Sequence, residues 1–337
     1  MCELFGVSRQ AFYQRKEFDF ESEQFVLCIL EYVREIRKDA PRMGCEKLFF
    51  KCECFFREDF QFGRDAFYDL LRESGLMLRI RRRHTRTTDS YHNYYLYPNL
   101  IRDFVPTAPN QLWVTDITYI VLEVKFCYLS LVTDAYSRKI IAWVLAPTLE
   151  YKYTQEALRI AINNANTNLE GLIHHSDRGV QYAYDAYINL LKSNGIRISM
   201  TEHGDPLENA LAERVNGILK QEWLNQYDFQ TIDDVRPVLE KIIEYYNNER
   251  PHSSINMMTP EQAHHTSGVL KKHWKNKYAK KLESKELNTN FDDDNRTMGN
   301  IEPLKQIKER EGSRILPVLD NRTSGLHYPL LKDVNPF

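Results

Sequence analysis

Residues 112–121 (LWVTDITYIV) form a ten-residue run of β-branched, aromatic and aliphatic side chains with a single charge, Asp116, near its middle. The run reads as a strand. A carboxylate inside it is out of place unless the strand borders a site. Two more β-rich runs follow at 126–133 (FCYLSLVT) and 139–145 (KIIAWVL), so the segment 134–138 between them is expected to be a hairpin connection. Asp134 belongs to that connection, and turn chemistry accounts for it without a catalytic role. After the hairpins the pattern alternates. Helix is expected at 154–166 with Thr154 as N-cap, strand at 171–175, helix at 182–193 ended by Asn194-Gly195, and strand at 196–200. Three hairpin strands followed by alternating helix and strand give an α/β domain, a mixed sheet with helices on its faces.

Within that frame two more acids stand out. Asp177 follows the short strand in the run His174-His-Ser-Asp-Arg-Gly-Val-Gln-Tyr182. If the strands carrying Asp116 and Asp177 are neighbours, the two carboxylates meet near strand ends, where ligands of open α/β sheets gather. The third acid lies on a helix whose start is signalled by Asp205 as N-cap, Pro206 at the first helical position and Glu208 three after the cap. That placement explains Glu208 structurally. At ~100° per residue, Leu207, Leu211, Val215 and Ile218 make one apolar stripe, whereas Glu213 shares its own side with Asn209, Asn216 and Lys220. A trio of carboxylates suits hard divalent cations, which take carboxylate oxygens together with substrate phosphate. Two such ions ~3.5–4 Å apart activate an attacking oxygen and stabilise a leaving one, so the trio points to phosphodiester chemistry.

At 337 residues the chain suits two or three domains. With 42% hydrophobic and 27% charged residues it falls outside the disordered and collagen-like classes. A net charge of −2 conceals two local basic patches. One comprises Arg79, Arg81, Arg82, Arg83 and Arg86 with His84 and no acid, and is best read as a phosphate contact. The other holds six lysines between Lys271 and Lys281, for which a solvated face serves equally well. The six cysteines show no paired framework, and no zinc-ligand spacing involves Cys45, Cys52 and Cys54, which are expected to fill a helical bundle. An acidic Glu3, the lack of an apolar signal core and the lack of any ~18-residue apolar stretch predict a cytoplasmic protein with reduced thiols and no membrane partner.

Upstream of the sheet the chain reads as helical. Gly6 followed by Ser8 as an N-cap predicts a helix through Phe12, the second half of a helix-turn-helix whose first half is short of residues, so Ser8 and Arg9 are candidate DNA contacts. A larger reading unit and a short helical hairpin both fit that start. Phe25, Ile29, Tyr32, Val33 and Ile36, and later Phe67, Leu70 and Leu71, carry helical spacing from 21 to 75, interrupted by Pro41 and Gly44 and closed by Ser74-Gly75. The expected division is a helical DNA-binding region at 1–86, a linker at 87–111, a catalytic core at 112–265 and a partly disordered extension at 266–337. Near the end of the core, a helix from 232 to 248 carries a tyrosine pair and leads to Arg250-Pro-His252; DNA contact and packing on the core both remain open for these residues.

The stretches WVTDITYI (113–120), HSDRGVQY (175–182), GDPLENALAERVNGILKQE (204–222) and YYNNERPHSSINMMTPEQA (245–263) resemble the retroviral-integrase-like core of bacterial insertion-sequence transposases with an Asp-Asp-Glu triad. Thirty-five residues separate Asp177 from Glu213, and Lys220 follows the glutamate by seven, as that family's pattern has it. Arg214 stands where many relatives carry Ser, a departure that leaves the triad intact. The resemblance implies a ribonuclease-H-like fold preceded by an all-α helix-turn-helix-type domain, with Asp116, Asp177 and Glu213 as catalytic metal ligands. It implies Mg²⁺ or Mn²⁺, two ions with DNA bound, and strand cleavage at element ends followed by strand transfer. Lys220, Asn209 and Asn216 are the expected DNA contacts of the core. A homo-oligomer on DNA and a DNA-binding protein from an upstream reading frame are the implied partners. The integrases' His-His-Cys-Cys zinc set has no counterpart here. A non-catalytic DNA-binding regulator derived from a transposase is the alternative; a lost acid would favour it, and all three acids are present.

Overall fold

In a computed structural model the described residues are 9–78, 95–165, 167–202 and 209–270. Helix α1 runs unbroken from Arg9 to Asp39. The helix expected after Ser8 and through Phe12 does start at Arg9, and it runs on to Asp39 because no Gly or Pro interrupts the chain between them. The helix stops where Pro41 approaches, with Arg37 and Lys38 in the last turn opposing the carbonyl end of its dipole. Helices α2 (Cys45–Phe56) and α3 (Arg64–Glu73) follow, and Gly75 closes α3 in the left-handed region at φ 68°. Ile29, Val33 and Ile36 line one face of α1 and, with Ala40 just past its end, bury against Leu48 and Cys52 of α2 and Phe67 and Leu71 of α3. Of the three cysteines expected to fill this bundle only Cys52 is buried. Cys54, two residues from Cys52, is exposed, and Cys45, at the first position of α2, packs against the cluster but stays half-buried.

Strands β1 (Leu112–Val121), β2 (Phe126–Asp134) and β3 (Ile140–Ala146) form the expected antiparallel meander. Helix α4 (Tyr151–Asn164) starts three residues before the expected cap: Thr154 lies inside its first turn, where Oγ1 donates to the Tyr151 carbonyl at 2.7 Å instead of capping. Strand β4 (Ile173–Ser176), helices α5 (Val180–Ala183) and α6 (Asp185–Ser193) and strand β5 (Arg197–Met200) complete a five-stranded sheet of order β3-β2-β1-β4-β5. The β1–β4 and β4–β5 pairs are parallel, so the sheet is mixed, with the ribonuclease-H-like architecture that the resemblance implies.

Alternate residues of the sheet feed two cores. On one face Trp113, Val132 and Ala142 pack against Leu158 and Ala161 of α4 and Tyr187 and Leu191 of α6. On the other, Ile120, Leu129 and Leu131 meet α7 (Ala210–Glu222) and α8 (Ile232–Asn248), and this cluster is continuous with the buried residues of α1–α3. A reciprocal capping box between Thr231 and Asp234 starts α8, and a second between Thr259 and Gln262 starts α9 (Pro260–His264). Residues 95–111 contain no helix or strand; Leu100 N donates to Ser199 Oγ at 2.9 Å and Met200 N to the Pro98 carbonyl, so this segment runs beside β5. Asp134, expected in the connection, is the last residue of β2 and fully buried; it opens the turn by accepting from Ser137 N and Ser137 Oγ, both at 2.7 Å, and also accepts from Asn110 N at 2.8 Å. Among the described residues no helix is long and apolar enough to cross a membrane.

Candidate active site

Strand register brings the first two acids level. Parallel β1 and β4 pair at Leu112↔Ile173, Trp113↔His174 and Val114↔His175, and there the ladder ends. Asp116 and Asp177 each lie two residues beyond that last rung, where the two strands part and a ligand has room to enter. Asp177 is held by the turn that follows β4: its Oδ1 accepts the Gly179 amide at 2.9 Å. A Cβ at position 179 would sit 3.0 Å from the same oxygen, so glycine lets the turn close on the carboxylate.

Helix α7 supplies the third acid. Glu213 lies in its first turn, exposed, where the positive end of the helix dipole favours a carboxylate. The three charges act on one another. Burial, then the charge of Asp177 and to a lesser degree that of Glu213, push the Asp116 carboxyl up to about 7, against hydrogen bonds that favour its ionised form. Those bonds come from Asn216 Nδ2 to Oδ2 at 2.8 Å and from the Ile117 amide to Oδ1 at 2.9 Å. Glu213 is likewise raised, by burial and then by Asp177.

Asn209 and Asn216 do not share the outward side of Glu213. Both are buried, with the Asn209 amide donating to the Thr115 carbonyl at 3.2 Å and Asn216 gripping Asp116. Their expected role as DNA contacts is therefore corrected: the α7 stripe facing the sheet is broader than the Leu211–Val215–Ile218 line and takes in Ala212, Asn216 and Leu219. Leu207 and the expected cap residues Asp205, Pro206 and Glu208 lie outside the described residues. Lys220, in the last turn of α7, rests its ammonium 3.9 Å above the centre of the Tyr119 ring. Burial pushes it down to about 8, offset in part by the pull of Asp116. Ser8, Arg79, Arg81, Arg82, Arg83 and Arg86 lie outside the described residues, as does the side chain of Arg9, whose backbone begins α1.

Tyr182 was not singled out by the sequence. It is buried beside the acids; burial and then the charges of Asp177 and Asp116 hold its phenol well above the usual range. Among the described side chains Tyr182 Oη, Asn209 Oδ1 and Asn216 Oδ1 are buried without a hydrogen-bond partner. The only advance signal was its place at the end of the HSDRGVQY run. His174 and His175 are structural: His174 Nε2 bonds Tyr187 Oη at 2.9 Å and His175 Nδ1 bonds Ser199 Oγ at 2.8 Å. The tyrosine pair packs, with Tyr246 fully buried and donating to the Arg138 carbonyl at 3.1 Å.

The donor set around Asp116 suits a hard cation: like-charged carboxylates keep its proton affinity raised despite the hydrogen bonds to it, and buried oxygens of Tyr182, Asn209 and Asn216 lack a hydrogen-bond partner. The three acids do not close on a single point; among the described residues no group of three His, Cys, Asp or Glu is arranged tightly enough to hold an ion.

The integrase core domain family matches residues 106–206, and a second integrase core domain family matches 194–260. The insertion element IS600 uncharacterized 31 kDa protein of Shigella sonnei is 34% identical over 266 residues, covering 77% of this chain and 96% of that protein. The transposase for insertion sequence element IS629, also of Shigella sonnei, is 30% identical over 207 residues, covering 61% of this chain and 69% of that protein. Among solved structures, the HTLV-2 integrase catalytic core domain in complex with magnesium is similar with a TM-score of 0.37 and 22% identity, covering 47% of this chain and 98% of that one. The matched segments contain all three acids together with Asn216 and Lys220, and the chain belongs to the integrase-core transposases of bacterial insertion sequences, a family of polynucleotidyl transferases.

Proposed function

We propose that Asp116, Asp177 and Glu213 act as one catalytic set that binds Mg²⁺ or Mn²⁺, two ions when DNA is present, and that the protein cuts DNA strands at element ends and joins them to a target. The observation that carries this reading is the meeting of three carboxylates, from β1, the turn after β4 and α7, where two parallel strands part: Asp177 and Glu213 raise the proton affinity of Asp116, and Asp177 raises that of Glu213. Such repulsion is tolerable where a cation is the intended partner.

Bound there, the metal supplies charge neutralisation and activation of the attacking oxygen. The chain's own residues do the positioning. Asn216 and the Ile117 amide fix the two oxygens of Asp116, and the Gly179 amide fixes Asp177. Glu213, on a helix instead of a strand, would join the set from the solvent side when the metal binds. Lys220 offers a phosphate contact one face-length along α7. In the first reaction water attacks a phosphodiester at the element end, releasing a 3′-hydroxyl. That hydroxyl then attacks a second phosphodiester, so one P–O bond forms as one breaks and no protein–DNA bond is made.

The proposal extends to a helical DNA-binding region at 1–86, a linker at 87–111 and a catalytic core at 112–265, with the arginines between 79 and 86 meeting phosphate. It includes a homo-oligomer on DNA and a DNA-binding partner from an upstream reading frame, which sequencing of the flanking DNA tests. The test of the chemistry is Mg²⁺-dependent nicking of element-end DNA by the full chain. Substituting Ala for any of the three acids should abolish nicking with DNA binding largely intact, and nicking retained by any one variant would remove that residue from the set.

A further inference from the structure

The far end of the helix that carries Glu213 ends in an arrangement that the chemistry does not use. Glu222 is the last residue of α7, where a carboxylate faces the negative end of the helix dipole and needs compensation. Arg250, just beyond α8, provides it in a two-point grip: Nε to Oε2 at 2.8 Å and Nη2 to Oε1 at 2.6 Å. The third nitrogen, Nη1, bonds His252 Nε2 at 2.9 Å and the Pro251 carbonyl at 3.4 Å, and the guanidinium lies over the Tyr246 ring. The Arg250 side chain is 1% exposed, which removes it from the candidate DNA contacts. Its surroundings leave it no other role at the surface.

The same end of α7 meets the N-terminal helices. Trp223 Nε1, one residue past the helix, donates to the Asp39 carbonyl at the end of α1 at 2.7 Å. Lys51 of α2 bonds the Glu249 carbonyl beside Arg250 at 3.1 Å, and the half-buried Lys47 feels the charges of Arg250 and Glu222. Glu222 and Glu213 are nine residues apart on a straight helix, a lever of roughly 14 Å. A tilt of about 10° at the anchored end would move Glu213 by about 2 Å, and misplacement by ~1 Å is enough to cost 10²-fold in rate.

We propose that Arg250 is a positioning residue: by its two-point grip on Glu222 it fixes the direction and rotation of α7, and so the placement of Glu213 and Lys220 against Asp116 and Asp177. The proposal rests on the reading of Glu213 as a member of the catalytic set. An arginine is required because a lysine keeps the charge but loses the fork.

The test compares amide hydrogen exchange of α7 and α4 in the metal-free full chain with Mg²⁺-dependent nicking of element-end DNA, for Arg250→Lys, Glu222→Gln and Leu158→Ala. Leu158, fully buried on α4, is the control for loss of packing away from α7. Arg250→Lys should raise α7 exchange at least tenfold more than α4 exchange and lower nicking at least tenfold per folded molecule. Glu222→Gln should act in the same direction and carries the comparison if Arg250→Lys fails to fold. Leu158→Ala should leave nicking per folded molecule near wild type. Exchange of α7 rising only in step with α4 in both clasp variants would overturn the proposal, reducing Arg250 to a packing residue. A wild-type chain that does not nick would overturn the reading of the acids instead, while the exchange ratio would still decide the clasp.

Discussion

The two ends of α7 treat carboxylates in opposite ways. At its start, Glu213 has its proton affinity raised by the like charge of Asp177 and itself raises that of Asp116; at its finish, Glu222 is held by two charge-assisted bonds from a buried arginine. A fold that can compensate one acid so fully on the same helix leaves three others in repulsion. The contrast separates a charge arranged to hold the structure from charges arranged to meet a ligand.

Breaking the compensated end should have the largest effect on stability. Arg250→Met leaves Glu222 without its buried partner and should cost about 3–5 kcal/mol, read as a lowered denaturation midpoint, whereas replacing both members by apolar residues of similar volume should cost less. The repulsive end should respond in the other direction. The Asp116 carboxyl, raised to about 7 in the fold, contributes stability that is fully present below its unfolded value near 4 and is lost as pH rises through about 7. Asp116→Asn should therefore make the metal-free protein more stable at pH 8, on the order of a few kcal/mol, with no gain at pH 3. Thermal melts across that range check both the sign and the window.

Smaller effects sharpen the contrast. Asn216 orients the carboxylate without belonging to the acid set, so Asn216→Ala should weaken Mn²⁺ affinity by about 10–100-fold, the usual effect of removing an outer partner of a metal ligand. An affinity unchanged by the substitution would leave Asn216 as a core residue only. Lys220→Ala should lower the slope of log affinity for element-end DNA against log salt by about one. An unchanged slope would mean that the ammonium stays on Tyr119 and meets no phosphate.

How much of this was legible in the sequence depended on whether a signal was local. The run at 112–121 and the helix at 232–248 match β1 and α8 residue for residue, since the composition and spacing that mark them are read from neighbours in the chain. The level pairing of Asp116 with Asp177 followed once the strands were adjacent. Ser8 put the start of α1 where the helix begins, at Arg9, but no local signal gave its length, because no Gly or Pro falls between Arg9 and Asp39 to mark a stop. Thr154 misled at the other helix start, as a hydroxyl there serves equally well inside the first turn. Asn216 shows a different limit: a helical wheel gives an angle but not what stands opposite, and only the position of Asp116 made that side of α7 an interior. The Glu222–Arg250 clasp joins residues 28 apart and carries no local signature at all.

The three acids are expected to form one cation site. Mn²⁺ binding to the full chain with element-end DNA, followed by water proton relaxation, tests this for wild type, Asp116→Asn, Asp177→Asn and Glu213→Gln. Tight binding by wild type with loss in each of the three variants is the predicted result; equal binding by all four proteins would contradict it.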